Sequence, residues 1–453
     1  MTSGTIAGTG FPVFLTSFDP SDLPSASLDA LGFERGYLFL ADKILPGLTN
    51  VANCPRYFSI LCAGTSLASI DSSQPLRQQY RDRLDCLLRF ERSWALANVL
   101  AFHEEDGEGR PLGGLRGVRY ARRAADAILS ACKKRVHADF ALLSRQVPYG
   151  VVGMYGAVAN EMRIWDRKTL VLTPSLGEPL ARGFLKQSET PASIIRAVRT
   201  DGDVPVRTLV DWGRRVHVAG DYYDIERRCL SEALHRDPVR SRMANVLSEF
   251  PYENEDQTEL ERLAAILPEL EQQPENRDLF DAVRAILAYE QCYRLALLGF
   301  ERLLWFCRTV PSAAVDDGTV SGDHVIERVR SDLPDAVRRL TSAMETAESP
   351  QFREGLDHIA DIRLFLAQAA SACTSASGLV DALMARHRDV QYGKFDRGRR
   401  KLPWLERPAP GRISLTMTRT GGLDREATGP ADITPHPYRL ASADALNRAT
   451  RDA

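Results

Sequence analysis

Residues 277–309 read RDLFDAVRAILAYEQCYRLALLGFERLLWFCRT. Leu279, Val283 and Ile286 stand at three- and four-residue spacing, and the pattern continues to the end of the stretch. Side chains so spaced share one face of an α-helix, and no proline interrupts the run. The same period appears on both sides. It recurs in Tyr222 to Leu247, Thr258 to Leu270, Ser321 to Ala347 and Gln351 to Gly393. Pro251, Pro268, Pro274, Pro311 and Pro350 punctuate these segments. Toward the N-terminus, Tyr80, Leu84, Leu87, Leu88, Trp94, Ala95 and Val99 predict a helix over Pro75 to His103, with Arg77, Arg81, Arg89 and Arg92 on its other face. A further helix is expected from Val118 to Val136. Strands are scarce; Ile413 to Thr418 alternates like one. The expected fold is mainly α: a winged-helix-like module plus a large multi-helix domain, with few short strands.

The module rests on residues 136–190. Phe140, Leu142 and Leu143 suggest a helix ending near Pro148-Tyr149-Gly150, and Val151 to Met162 a second one. Leu170, Val171 and Leu172 then read as a short strand or wing. Thr173-Pro174 opens another helix, with Leu176, Leu180 and Phe184 on one face. Four consecutive segments follow: an N-terminal helical region over 1–135 with a polar loop at 42–59, the winged-helix-like module over 136–190, a helical domain over 191–402, and a Pro- and Gly-rich C-terminal segment over 403–453.

Composition bounds the class. The 453 residues are 44% apolar and 26% charged, the balance of a folded globular protein with room for two or three domains. The eight cysteines include no C-x-x-C pair and read as reduced core thiols. No secretory signal and no run of about 18 apolar residues is present. A cytoplasmic location without a membrane partner is therefore expected.

The net charge of -2 hides a strong asymmetry. From Arg110 to Arg145 nine cations (Arg110, Arg116, Arg119, Arg122, Arg123, Lys133, Lys134, Arg135 and Arg145) face two acids, Asp126 and Asp139. From Arg386 to Arg407 eight cations face three acids, whereas Glu253 to Glu275 holds eight acids and one arginine. Clustered cations neutralise phosphates and release counterions, the main source of affinity for nucleic acid; the plainer alternative is a pair of solvated faces.

Three further constellations could carry function. In the winged-helix-like module, Asn160, Glu161, Arg163, Arg167 and Lys168 would lie near an edge that touches DNA, unless the module only packs. Asp42, Lys43, Asn50, Arg56 and Tyr57 gather a carboxylate, an amine, an amide, a guanidinium and a phenol in one short stretch. An extruded base needs such edge contacts and a ring to stack on, and a carboxylate can assist glycosidic cleavage. The alternative is a structured turn tied internally by Arg56 and Tyr57. His387, Gln391 and Lys394 fall at i, i+4 and i+7 on one helix face, close to Arg399, Arg400, Lys401 and Trp404. Here the alternative is an exposed helix end with cations favoured by the dipole. The P-loop, G-x-S-x-G, H-E-x-x-H and zinc-deaminase signatures are all absent from the sequence.

The run Leu45-Pro46-Gly47-Leu48-Thr49-Asn50 leading to Arg56-Tyr57-Phe58-Ser59 resembles the N-terminal region of bacterial proteins found in phage-defence loci. Leu172-Thr173-Pro174 with Gly177 and Leu180 supports the resemblance, as do His387, Gln391, Lys394 and Trp404. Some proteins of that kind are DNA glycosylases that excise modified bases. The resemblance implies base excision from phage DNA, with no metal or other cofactor. It supplies no catalytic motif; Asp42 is the candidate catalytic residue on chemistry alone. Tyr57 or Trp404 would stack on the base, and Asn50, Arg56 and Gln391 would read its edge. A non-catalytic DNA-binding or scaffold component of a defence system is the alternative.

Overall fold

A computed structural model describes residues 29–104, 112–254, 256–309, 314–396, 398–416 and 426–451. Among them are α1 (Glu34–Ile44), α2 (Arg56–Ser66), α3 (Leu76–Glu104), α4 (Val118–Ser130), α5 (Gln146–Tyr149), α6 (Val151–Glu161), α7 (Gly177–Gln187), α8 (Ala192–Thr200), α9 (Val206–Arg215), α10 (Asp224–His235), α11 (Pro238–Glu249), α12 (Glu259–Gln272) and α13 (Arg277–Thr309). Then come α14 (Asp317–Ser321), α15 (His324–Glu345), α16 (Pro350–Arg353), α17 (Ala360–Ala372), α18 (Ala376–Tyr392) and α19 (Leu440–Thr450). The strands are short: β1 (Arg135–His137), β2 (Trp165–Asp166), β3 (Val171–Leu172), β4 (Asp203–Pro205), β5 (Val315–Asp316), β6 (Phe395–Asp396), β7 (Arg399–Arg400), β8 (Leu405–Ala409) and β9 (Arg412–Leu415). The protein is thus mainly helical, as its apolar periods indicate. No helix of the described residues is long and apolar enough to cross a membrane.

The helices divide into two units that do not follow the sequence order. One comprises residues 1–39 with 284–436, the other 40–283 with 437–453. The bounds of the units fall within α1 and within α13.

In the second unit α3 is the central rod. Phe90, Trp94, Leu96 and Leu100 are buried along it, and α2, α4 and α9 pack against it. Each such large apolar side chain contributes roughly 1.5–3 kcal/mol on burial. Polar ties fix the packing. The Trp94 indole N–H donates to the Val216 carbonyl at 2.7 Å, and the Asn98 carboxamide oxygen accepts the Val218 N–H at 2.7 Å. Helix α9 comes so close that a Cβ on Gly213 would lie 2.1 Å from the Ala97 carbonyl oxygen. The unit is completed by α19. Asp444 pairs with the buried Arg262, and Ser442 donates to the Thr49 carbonyl at 2.6 Å.

The other unit is built on the C-terminal part of α13 with α15, α17 and α18. Phe33 meets Tyr289, Tyr293 and Phe365 edge to face. Such pairs add about 0.5–1.5 kcal/mol beyond burial. Arg302 grips the Asp323 carboxylate through Nε at 3.1 Å and Nη2 at 2.6 Å. The same carboxylate caps α15 by accepting the Val325 and Ile326 N–H groups. Strands β5, β9 and β8 form a three-stranded antiparallel sheet.

Several boundaries differ from the sequence reading. The run from Tyr222 to Leu247 is two helices, because Asp237 caps α11 with Pro238 at its first position. The run Thr258 to Leu270 is by contrast a single helix as expected, with Pro268 inside α12; the burial of Ile266 and Leu270 carries the helix through. Helix α4 stops at Ser130, and Arg135–His137 instead pairs with Asp203–Pro205. Over 136–190 the expected order of elements is present, but the geometry does not establish a winged helix. Its first helix is the single turn α5, and each strand of the hairpin β2–β3 has two residues. Helix α6, which would read a groove, buries Val151, Val152, Tyr155, Val158 and Ala159.

Candidate nucleic-acid interface

Helix α4 and the segment that follows it carry the surplus of cations between Arg110 and Arg145. Ala121, Ala125 and Ile128 form its buried stripe, and the two alanines let it lie close to α3. It starts at Gly117, whose φ of 73° is left-handed; a Cβ there would sit 2.3 Å from the Leu142 carbonyl oxygen. This fixes the helix beside residues 142–149. Arg116 Nε also donates to the Tyr149 carbonyl at 2.7 Å.

The buried stripe forces Arg119, Arg122 and Arg123 outward, and Lys133, Lys134 and Arg135 follow past the end of the helix. All six are exposed, as is Arg145. None of these seven cations forms an ion pair among the described residues. The two acids of the same stretch are turned to histidines: Asp126 lies 3.4 Å from His103 and Asp139 3.8 Å from His137, which also meets Asp201 of the neighbouring segment at 3.6 Å. Thirteen residues of helix span roughly 20 Å. Duplex DNA of that length carries about twelve phosphates.

Two aromatic rings interleave with the cations. Tyr120 is 38% and Tyr149 44% exposed. The Arg123 guanidinium lies 5.9 Å from the Tyr120 ring centre, and that of Arg145 6.0 Å from Tyr149. In the sequence the cations stand out as a count, and these tyrosines do not. Their signal was position: Tyr120 stands between Arg119 and Arg122, and Tyr149 follows Arg145 by one turn of helix.

Beneath this surface lies Glu91, fully buried in α3. Its carboxylate accepts from Gln146 Nε2 at 2.7 Å and from the Val151 N–H at 2.8 Å. Burial pushes its pKa up to about 7, against the pull of those two donors and of Arg116. Glu91 therefore fastens the segment carrying Tyr149 to the central rod.

The residues expected to handle a base lie elsewhere, and most are in the core. Arg56 is wholly buried, with Nη1 2.9 Å from Glu226 Oε2 and Nη2 bound to the Gly220 and Asp221 carbonyls. Tyr57 is buried between Trp94 and Tyr155, and its hydroxyl oxygen accepts the Arg116 N–H at 2.7 Å. Neither presents a surface to a base, which corrects the expectation: both are the internal ties that were the plainer alternative. His387 and Gln391 are buried too. The His387 Nδ1–H donates to the Ala30 carbonyl at 2.9 Å, and Nε2 accepts the Trp404 N–H at 2.8 Å. These bonds define a neutral imidazole, and burial lowers its pKa to about 4. Trp404 packs against His387 and Phe300 instead of standing free to stack. Lys394 is half-buried and donates to the Asp29 carbonyl.

The remaining candidates are at the surface or close to it. Asp42 has a side chain 56% exposed and is paired with Arg439. Lys43 is half-buried and Asn50 exposed. Arg163 and Lys168 are exposed near Asn160, whose Oδ1 accepts the Arg167 N–H at 3.2 Å, so this edge does come together. Arg399 and Arg400 are exposed on β7, beside the half-buried Lys401; Arg110 and Arg397 lie outside the described residues. Arg56 and His387 belong to different units, each buried within its own. No group of residues suited to a metal ion is found among the described residues.

No protein-family model, curated protein or solved structure matches this chain.

Proposed function

We propose that the protein binds DNA through the outer face of α4 and the segment running into β1. The observation that carries this reading is the row of exposed cations without carboxylate partners, interleaved with Tyr120 and Tyr149. Fixed positive charge on a helix held rigidly from below matches a phosphate backbone, and it favours binding with little dependence on sequence. Defence against phage is what the sequence resemblance adds.

Base excision is the further reading, and it rests on the resemblance and on the exposed Asp42 carboxylate. Against it, Arg56, Tyr57, His387, Gln391 and Trp404 are committed to packing. That placement favours the non-catalytic alternative.

The test uses the full chain with a fluorescent duplex, made once from ordinary and once from phage-modified DNA. Nanomolar to micromolar binding that weakens steeply with salt supports the interface. Absence of binding at 50 mM salt rejects it. The same mixtures are then assayed for abasic sites. Their appearance, and their loss in Asp42→Asn with binding retained, supports a glycosylase. Binding without abasic sites on either DNA leaves a non-catalytic binder.

A further inference from the structure

A cleft of about 700 Å³ opens in the unit that contains α3. Its walls are the turn Asn53-Cys54-Pro55 ahead of α2, the loop Val218–Tyr222, Arg227 on α10, and Arg448 and Arg451 at the end of α19. That volume lies within the range of small-ligand sites and far exceeds a lone phosphate ion.

The charge of the cleft is one-sided. Arg448 and Arg451 are exposed and form neither an ion pair nor a side-chain hydrogen bond among the described residues. Arg227 donates from Nε to the Tyr222 carbonyl at 3.0 Å, which orients its guanidinium without neutralising it. Asp221 is the one carboxylate among the described lining residues. The Cys54 thiol adds no charge, since burial pushes its pKa up to about 11.

The backbone points the same way. Arg56 lies behind the loop and takes the Gly220 and Asp221 carbonyls at 3.2 and 2.5 Å. A trans peptide sets its C=O and N–H in opposite directions, so the Asp221 and Tyr222 N–H groups face away from Arg56. The 11-residue helix α2 begins at Arg56, directly after the lining turn, with no side-chain cap on its first N–H groups. Its positive end adds to the field. On one side of the Tyr222 ring stands the Arg56 guanidinium, 4.8 Å from the ring centre.

We infer that this cleft binds a nucleoside phosphate. The phosphates would lie among Arg227, Arg448 and Arg451. The base would lie toward Tyr222 and Asn53, an aromatic face and an amide suited to stacking and edge recognition. The site differs from a P-loop: its cations are arginines from two helices, and its backbone donors come from a loop. It does not depend on the DNA-binding reading, because no exposed cation of α4 lines it.

Calorimetric titration of the full chain with ADP, AMP, adenosine and inorganic phosphate tests the inference. ADP is expected to bind more tightly than AMP, and adenosine and phosphate at least tenfold more weakly than ADP. Arg448→Gln/Arg451→Gln, at exposed positions that leave the fold intact, should weaken ADP by at least tenfold. Arg338→Gln/Arg339→Gln, a charge-matched change at exposed residues of the other unit, should leave ADP binding as it was. Arg119→Glu/Arg122→Glu/Arg123→Glu should also retain ADP binding, so failure of the DNA reading and failure of this one are separable. No ADP binding at 1 mM (on the order of the weakest affinity worth assigning), binding unchanged by the α19 pair, or equal binding of phosphate and ADP would each overturn the inference.

Discussion

Arg56 and Glu226 form an ion pair at 2.9 Å in which neither side chain reaches solvent. Ser59 adds a hydroxyl donor to Glu226 at 2.5 Å, and the Tyr223 N–H another at 2.9 Å. Even so, burial keeps the Glu226 carboxyl above its ordinary range. Removing the arginine leaves a buried carboxylate with two of these three donors and without its paired guanidinium. Arg56→Ala should therefore lower stability by about 3–5 kcal/mol. The loss should be larger at pH 8 than at pH 5, where Glu226 can protonate. Urea unfolding at both pH values measures it, and a change under about 1 kcal/mol would contradict a structural role.

Glu91 should impose a pH dependence of its own. Its pKa rises from the ordinary 4.5 to about 7 on folding. Between those values the folded chain binds more protons than the unfolded one. Stability present below 4.5 is thus lost as pH climbs to about 7, by about 3 kcal/mol in all. Glu91→Gln keeps an acceptor for the Val151 N–H and cannot ionise. Other titrating groups, His387 among them, are common to both proteins, so the stability difference should shift in the variant's favour from pH 5 to pH 7.5, and thermal unfolding at the two pH values measures that shift.

His387 acts with the opposite sign. Its pKa falls from 6.5 to about 4, so between those values the unfolded chain binds the extra proton. Stability present above 6.5 is lost as pH drops through 4. Protonation would also take away the lone pair that holds the Trp404 N–H. Hydrogen exchange at the Trp404 amide, corrected for intrinsic rate, should therefore quicken from pH 7 to pH 5. In His387→Phe that amide should exchange fast at both.

Reversing three charges on α4 should separate the interface from the rest. For duplex binding, Arg119→Glu/Arg122→Glu/Arg123→Glu should reduce the slope of log K against log salt by about 3, since each phosphate contact contributes roughly 0.9. Circular dichroism should match the parent, because the substituted side chains are exposed. Tyr149→Ala should weaken single-stranded more than double-stranded DNA, as expected of a stacking ring. An unchanged salt slope would exclude α4 as the contact face.

What the sequence made legible was local. The long helices α3, α12 and α13 follow from apolar residues three and four apart, and the surplus of cations between Arg110 and Arg145 was visible as a count. Partners distant in the chain were hidden. Arg56 reads as a reactive group until Glu226, 170 residues on, is seen beside it. His387 and Gln391 share a helix face as their spacing requires, but spacing alone does not tell inward from outward. Helix α19 escaped notice because LASADALNRAT is rich in alanine and its moment is modest; Leu440 and Leu446 are its only large buried apolar anchors.

The pairing of Asp42 with Arg439 spans 397 residues. At a synthesis rate of about 5–20 residues per second, α1 waits roughly 20–80 s for that partner to exist. Until then the seat of α19, including Leu45, Thr49 and Arg262, has no cover. Apolar surface open through that interval invites aggregation, so the yield on expression should rise with chaperone supply.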